Sequence, residues 1–489
     1  MSRYTWFSLS LVLLLGLGTA PGIIHAQSSS DNQATQALQK ELQELRDQMN
    51  KVQAQLDELQ AQRTQEPQRA PAPSSTSGAI ESTKPPLQGP TSKHVGEATS
   101  TYVEFNEDTQ AAARYDNVPL DPKYDGFFRL PGTDDILKIG GYFKTDFIED
   151  LKPAGNTDAF VPSSFPVPQP TSVNNNTISI RPTRLSLDFR IPSTTVGDVR
   201  FYVEGDFFGT NATTPRLRHA YAQVKNFLIG QTFSNFMDPD GFPDTLDFQG
   251  PNGMVNIRNP QFRYGFALTP STTLYLSVEK PSSDVIFSTP EFSAKPNSPG
   301  PDGAVRIRQE FERGHVQAAA IFRDIAAYLP DGRSGSVFGW GLNLSGAVET
   351  FGKDNLILAV TGGHGVSRYI QDTSGLGIDA EPSLSPTPHL EATPAIGIEA
   401  AYQHFWTERL RSSIVYSYAA VNNTDVATGG TYNHGTYTAA NLIWNPLGSL
   451  TVGGEFLYGW IMEQNHLSAN APRIQFSAKY NFVRIRRNN

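Results

Sequence analysis

Residues 184–208 read RLSLDFRIPSTTVGDVRFYVEGDFF, and their grain decides the fold. Leu185, Leu187 and Phe189 alternate with Ser186, Asp188 and Arg190. After a turn signal at Pro192 to Gly197, Val199, Phe201, Val203 and Gly205 alternate with Arg200, Tyr202, Glu204 and Asp206. A period of two places one set of side chains on each face of a strand. Here one face is apolar and the other charged. The same grain returns near the end of the chain, where Ile474, Phe476, Ala478, Tyr480 and Phe482 alternate with Gln475, Ser477, Lys479 and Asn481.

Reading outward from these segments gives about sixteen strands. They start near residues 136, 178, 198, 216, 227, 254, 272, 303, 315, 336, 355, 394, 409, 433, 450 and 472. The links after even strands are tight: 192–197, Asn226, 269–271, 312–314, 350–354, 407–408 and 445–449. Those after odd strands are mostly long, notably 150–177, 235–253, 281–302 and 368–393. Short turns on one rim and long loops on the other mark a transmembrane antiparallel β-barrel. A soluble sandwich or propeller would carry a polar outer face, and no short repeat of a β-helix is present. The fold expected is all-β: a barrel of about 16 strands preceded by an α-helical coiled-coil segment.

The ends of the chain fit export. Arg3, the apolar run Leu9 to Leu17 and Ile24-His25-Ala26 make residues 1–26 a signal peptide. Its apolar core, about nine residues, is too short to cross a bilayer. Leu38, Leu42, Leu45, Met49, Val52, Leu56 and Leu59 then follow a heptad spacing, so 27–65 reads as a coiled-coil arm. A lone amphipathic helix packed on the barrel is the competing reading, since one narrow seam is marginal by itself. Residues 66–135 are a Pro/Ser-rich linker and transition segment, and 136–489 form the barrel. Both barrel ends fall on the short-turn rim, which puts the arm in the periplasm.

Composition narrows the chemistry. Cys is absent, so disulfides, thiolate metal sites and Cys nucleophiles are excluded. A formal net charge of −9 argues against a general nucleic-acid partner. The motifs G-x-S-x-G, H-E-x-x-H and the P-loop are missing, and His219, His364 and His404 lie in separate segments. No catalytic residue, metal or cofactor is expected. The acidic run at Asp238 lacks the full spacing of an EF-hand loop.

Three tracts resemble a known family. GTDDILKIGGYFKTDFIED (132–150), RLRHAYAQVKNFLIGQTFSNFMD (216–238), and TLDFQGPNG (245–253) with RNPQFRY (258–264) look like the DcaP-like outer-membrane porins. The heptad arm is also a feature of that family, and the first strand shares its pattern with phosphate-selective porins. The resemblance implies a homotrimer of 16-stranded barrels that passes small anions, dicarboxylates in particular. It departs from the porin pattern at the end: the chain runs seven residues past Phe482, the aromatic that barrel-assembly machinery would read.

Selection in a channel rests on the charges that line it. Alternation sends Lys144, Arg184, Arg190 and Arg200 inward, because a charge on the lipid face at mid-bilayer costs about 2–4 kcal/mol. Arg216 and Arg218 share a face, as do Arg306 and Arg308. Arg258 and Arg263 are five positions apart and both point inward only if a bulge near Pro260 shifts the strand. Guanidinium groups pair with carboxylate solutes through two parallel hydrogen bonds. They can equally pair with Asp188, Glu204 or Asp206 of the wall. The link SNFMDPDGFPDTLDFQGPNG (234–253) is the candidate constriction loop, with Asp238, Asp240, Asp244 and Asp247 facing the basic wall. The function expected is passive diffusion of small hydrophilic solutes, anions favoured, with outer-membrane lipid and assembly machinery as partners. A general or phosphate-type porin is the runner-up; a tethering barrel or membrane-embedded hydrolase belongs to another class.

Overall fold

The computed structural model describes residues 126–482, apart from 172–173, 193–194, 211–212, 290–291, 329–333, 384–388 and 425. The signal peptide, the heptad seam, most of the linker and the tail after Phe482 lie outside the described residues. Within them, a closed antiparallel barrel of sixteen strands runs in chain order. The strands are β1 (Ile136–Asp150), β2 (Asn175–Ser179 and Arg184–Ile191), β3 (Val199–Asp206) and β4 (Arg216–Val224). Then come β5 (Phe227–Phe233), β6 (Arg258–Thr269), β7 (Thr272–Glu279) and β8 (Asp302–Phe311). β9 (Gly314–Tyr328), β10 (Ser334–Glu349), β11 (Asn355–His364) and β12 (Pro394–Phe405) follow. β13 (Leu410–Val421), β14 (Tyr432–Leu447), β15 (Leu450–Glu463) and β16 (Ser468–Asn481) complete the wall. Closure is made where β1 pairs with β16, from Tyr142↔Asn481 to Asp150↔Arg473.

Alternation sorts the side chains as a barrel requires. On β1, Phe143 is 60% exposed and Phe147 42%, while Lys144 and Asp146 between them are 9% and 0% exposed. The outer face continues through Leu185, Leu187, Phe201, Val203, Leu342, Leu344, Ile414 and Phe476. In water such a surface would aggregate; in lipid it is at home. Phe482 finishes the last strand by donating its N–H to the Gly141 carbonyl (3.0 Å) and packing edge-on against Phe143 (4.7 Å between centroids).

Three details differ from the sequence reading. The second strand is split, because Pro182 has no N–H for the ladder. The Thr183 hydroxyl takes over there, exchanging hydrogen bonds with the Lys144 N–H and C=O (both 3.2 Å). The sixth strand begins at Arg258 rather than near 254. Its pairing with β5 runs unbroken from Phe227↔Tyr264 to Phe233↔Arg258, so no bulge forms at Pro260. Before β1, Phe128 and Arg129 pair with Leu137 and Ile136 in a short hairpin.

The lumen is not an open tube. Among the described residues, loop A (151–171), loop B (234–257) and loop C (365–383 and 389–393) enter it. Their apolar side chains, including Phe160, Phe165, Phe236, Met237, Val255, Tyr369 and Ile370, form one buried cluster with inward residues of the wall. On that side the wall offers Ala304, Ala319, Ala347, Ala401, Ala419, Ala439 and Ala471. Small residues leave room for the loops to pack. Gly253 marks the closest approach. A Cβ there would lie 2.2 Å from the Tyr418 carbonyl oxygen, and the Gly253 N–H donates to Ser417 Oγ at 2.8 Å. The opposite wall, β1 to β5, carries long charged side chains instead, and there the lumen stays open.

Candidate functional site: a basic cleft at the pore constriction

Loop B is bound to the wall at both flanks of its crossing. Near its start, Asp238 accepts from His315 Nε2 (2.8 Å) and Arg308 (3.3 Å), and Asp240 pairs with Arg308 (2.6 Å). Burial works to raise the Asp238 carboxyl, but the His315 hydrogen bond and the charges of His315 and Arg308 outweigh it. The group is held well below the ordinary carboxylate range. Near the tip, Asp244 is bound by Arg411, and its carbonyl accepts from Asn441 Nδ2 (2.7 Å). Glu455 accepts the N–H groups of Leu246 (3.0 Å) and Asp247 (2.8 Å). The Leu246 carbonyl receives Lys144 Nζ (2.6 Å) and Gln475 Nε2 (2.9 Å). Asp247 accepts from the N–H groups of Phe160 (2.9 Å) and Gly250 (2.8 Å). Burial raises its carboxyl, and those N–H groups and the Arg473 charge only partly offset the rise. All four aspartates thus hold the loop in place, and none hangs free in the lumen.

Loop C is the second strap. The Gln371 side-chain amide donates to the carbonyls of Gln249 (2.6 Å), Gly250 (3.2 Å) and Pro251 (3.1 Å). Gln371 N donates to the Met254 carbonyl (2.9 Å) and Asp372 N to that of Asn252 (3.0 Å).

Around loop B, between the β1–β5 wall and residues of β6 and β13 to β16, lies a cleft of about 300 Å³. Its lining includes seven cationic side chains, Lys144, Arg184, Arg216, Arg218, Arg258, Arg411 and Lys479, against the two carboxylates Asp244 and Asp247. Behind the lining stand Asp146, Glu204 and Asp206. Lys144 reaches Asp146 at 3.1 Å. Arg218 lies 2.7 Å from Glu204 and 3.0 Å from Asp206, and Arg216 2.7 Å from Asp206. Arg184 is 3.8 Å from Glu204, and its buried Nε–H has no protein acceptor. Even counting these five carboxylates and Glu455, the seven cations leave the cleft positive.

The other basic residues expected at the site lie elsewhere. Arg190 and Arg200 share Asp188, at 3.3 and 3.0 Å, near the short-turn rim. Arg263 faces inward from β6 and bonds to Gln261 (2.8 Å) and the Phe233 carbonyl. Arg258, the first residue of β6, shares the parity of the outward Pro260 and Phe262. Yet at the loop B end of the strand its guanidinium lines the cleft, 5.3 Å from the Phe233 ring centroid. Arg306 lies 4.2 Å from the Tyr275 ring centroid and reaches the Met237 carbonyl (3.3 Å).

Three lining residues escaped the sequence reading. Lys479 sits between the outward Ala478 and Tyr480, so its parity alone would have placed it inside. Arg411 shares a face with Ser413, opposite Ile414, a weaker signal of the same kind. Gln371 gave no sign at all, since its place depends on the course of loop C. Among the described residues no group of three His, Asp or Glu could hold a metal ion.

A closed sixteen-stranded barrel with a lipid-facing outer wall and a loop-narrowed polar lumen is an outer-membrane channel of the porin class. The chain belongs to the DcaP outer membrane protein family, whose description matches residues 132–482. Among solved structures it is similar to the outer membrane channel DcaP of Acinetobacter baumannii. That match has 24% identity and a TM-score of 0.64, covering 73% of this chain and 99% of that one. An anion-selective porin from Comamonas acidovorans matches at 10% identity and TM-score 0.48, covering 71% of this chain and all of that one. OmpT of Vibrio cholerae matches at 12% and 0.46, covering 71% of this chain and 98% of that one. No curated protein matches the sequence.

Proposed function

We propose that this channel admits small hydrophilic solutes by passive diffusion and favours anions, dicarboxylates among them. The observation that carries the reading is the cationic excess of the cleft, with Arg184 offering a buried N–H that lacks a protein acceptor. A buried donor of this kind is completed by water or by a solute oxygen. Charges in a narrow low-dielectric lumen act strongly on a permeating ion. In a KCl gradient across a planar bilayer the reversal potential then indicates chloride preference. Added short dicarboxylate blocks the current in a concentration-dependent way. A reversal potential of the cationic sign removes the proposal.

A general or phosphate-type pore is the second reading. It is favoured by the compensation of Arg190 and Arg200 on Asp188 and of Arg216 and Arg218 on Asp206. Equal chloride and potassium permeability, with no dicarboxylate block, would select the non-selective pore.

The assembly reading is a homotrimer whose coiled-coil arm lies in the periplasm, with the last strand, ending at Phe482, read by barrel-assembly machinery. Its support is a low wall: β3, β4 and β5 have 8, 9 and 7 residues, against 15, 16, 16 and 14 in β9, β10, β14 and β15. Such a wall, faced outward with Phe201, Val203, Leu217 and Ile229, suits packing against further copies. The signal peptide and the linker complete this reading.

A further inference from the structure

Two aromatic rings stand at the centre of the basic wall. Phe208, just after β3, and Phe248, near the tip of loop B, stack with centroids 4.0 Å apart and planes 18° apart. Around them are four guanidinium groups. Arg181 lies 4.8 Å from the Phe208 centroid and Arg216 5.3 Å. Arg184, Arg216 and Arg218 lie 5.6, 5.8 and 5.8 Å from that of Phe248. Arg181 falls within ~6 Å of one ring and Arg184 and Arg218 within ~6 Å of the other, the range over which a ring face attracts a cation. Arg216, within reach of both stacked rings, stands beside them.

Three like charges converging on one ring repel one another, and more strongly in a narrow lumen than in water. Carboxylates relieve the repulsion by cancelling charge: Arg218 and Arg216 each meet Asp206. A ring does something different. Its face carries partial negative potential, so it attracts the guanidinium groups while adding no net charge. Phe248 also belongs to the loop that narrows the pore, so the same side chain registers loop B against the cationic wall.

We propose that Phe248 is a selectivity-determining residue: an uncharged ring that gathers Arg184 and Arg218 next to Arg216 into a net-positive cluster at the constriction. On this view the pore's preference for anions depends on a residue with no charge. The inference rests on the anion-favouring reading above, and the experiment separates the two.

The purified full-length protein is placed in planar bilayers under a KCl gradient as wild type, Phe248→Leu and Phe248→Trp. Wild type should favour chloride; if it does not, the anion-favouring reading fails before any variant is compared. Leucine keeps bulk without the quadrupole, so Phe248→Leu should lower the chloride-to-potassium permeability ratio by about twofold or more. Phe248→Trp, with a stronger ring face, should keep it. A leucine variant with the wild-type ratio overturns the inference, and so does a tryptophan variant that falls as far as leucine. A rise in conductance to that of a protein lacking residues 235–253 would mean that loop B had collapsed, and would overturn it too. If Phe248→Leu does not assemble, Phe208→Leu leaves the contacts of loop B with the far wall intact. It should lower the ratio in the same direction, and an unchanged ratio there also defeats the inference.

Discussion

Asp244 on loop B is bound by Arg411 on β13, a partner 167 positions further along the chain. The contact pins the tip of the loop to the wall opposite its own root. Arg411 also reaches the Asn445 side chain, so it is held from the barrel side as well. Long-range pairs of this kind hold loop B across the lumen.

Removing either member should loosen the loop. Leaving one charge of a buried pair without its partner costs about 3–5 kcal/mol. Arg411→Ala is expected to raise open-channel current noise and mean conductance, with deletion of residues 235–253 as the upper limit. Single-channel recording checks it, and a quiet variant of wild-type conductance would assign the anchoring to Glu455 and Gln371 instead.

Acid should release the Asp238 end of the loop late. Asp238 is depressed below its unfolded value of about 3.9 by His315 and Arg308. A depressed carboxylate contributes stability that is present above its unfolded pKa and is lost as pH falls through the folded one. The Asp238 anchor is expected to hold from pH 7 down to the ordinary carboxylate range and to let go only below it. Asp247, whose carboxyl burial raises, protonates earlier and accounts for any change above that range. Asp238→Asn should be noisy already at neutral pH. Opening between pH 6 and 5 that persists in Asp247→Asn would contradict this assignment.

The outer wall is open to a direct measurement. Leu342 lies mid-strand on β10 and is 54% exposed on the lipid face. Leu342→Arg should destabilise the barrel by about 2–4 kcal/mol, as a charge does at the bilayer midplane. Urea unfolding from lipid vesicles reports the cost, whereas inward Asn343→Arg on the same strand would be charged to the lumen and not to the lipid. Equal costs would disprove the sidedness of β10.

The heptad arm carries its own prediction from sequence. Replacing Leu42 and Leu45 by Asp puts charge into the apolar seam and should weaken self-association. Native-gel mobility after graded heating measures it. Unchanged oligomer stability would give the arm a role other than assembly.

What the sequence by itself determined is the partition of faces. Leu185, Leu187 and Phe189 against Ser186, Asp188 and Arg190 depend only on the two-residue period of a strand, which is local. From that period came the strand number and the inward course of Lys144, Arg184 and Arg200, while the lengths of the links gave the sidedness of the turns. Tertiary structure alone decided which cations are compensated: Arg190 and Arg200 on Asp188, Arg308 on loop B, Arg411 on Asp244. It also decided that loop C straps loop B through Gln371 and that Phe248 meets Phe208. These contacts join residues brought together only when the wall closes and the loops turn inward, and no local periodicity encodes them.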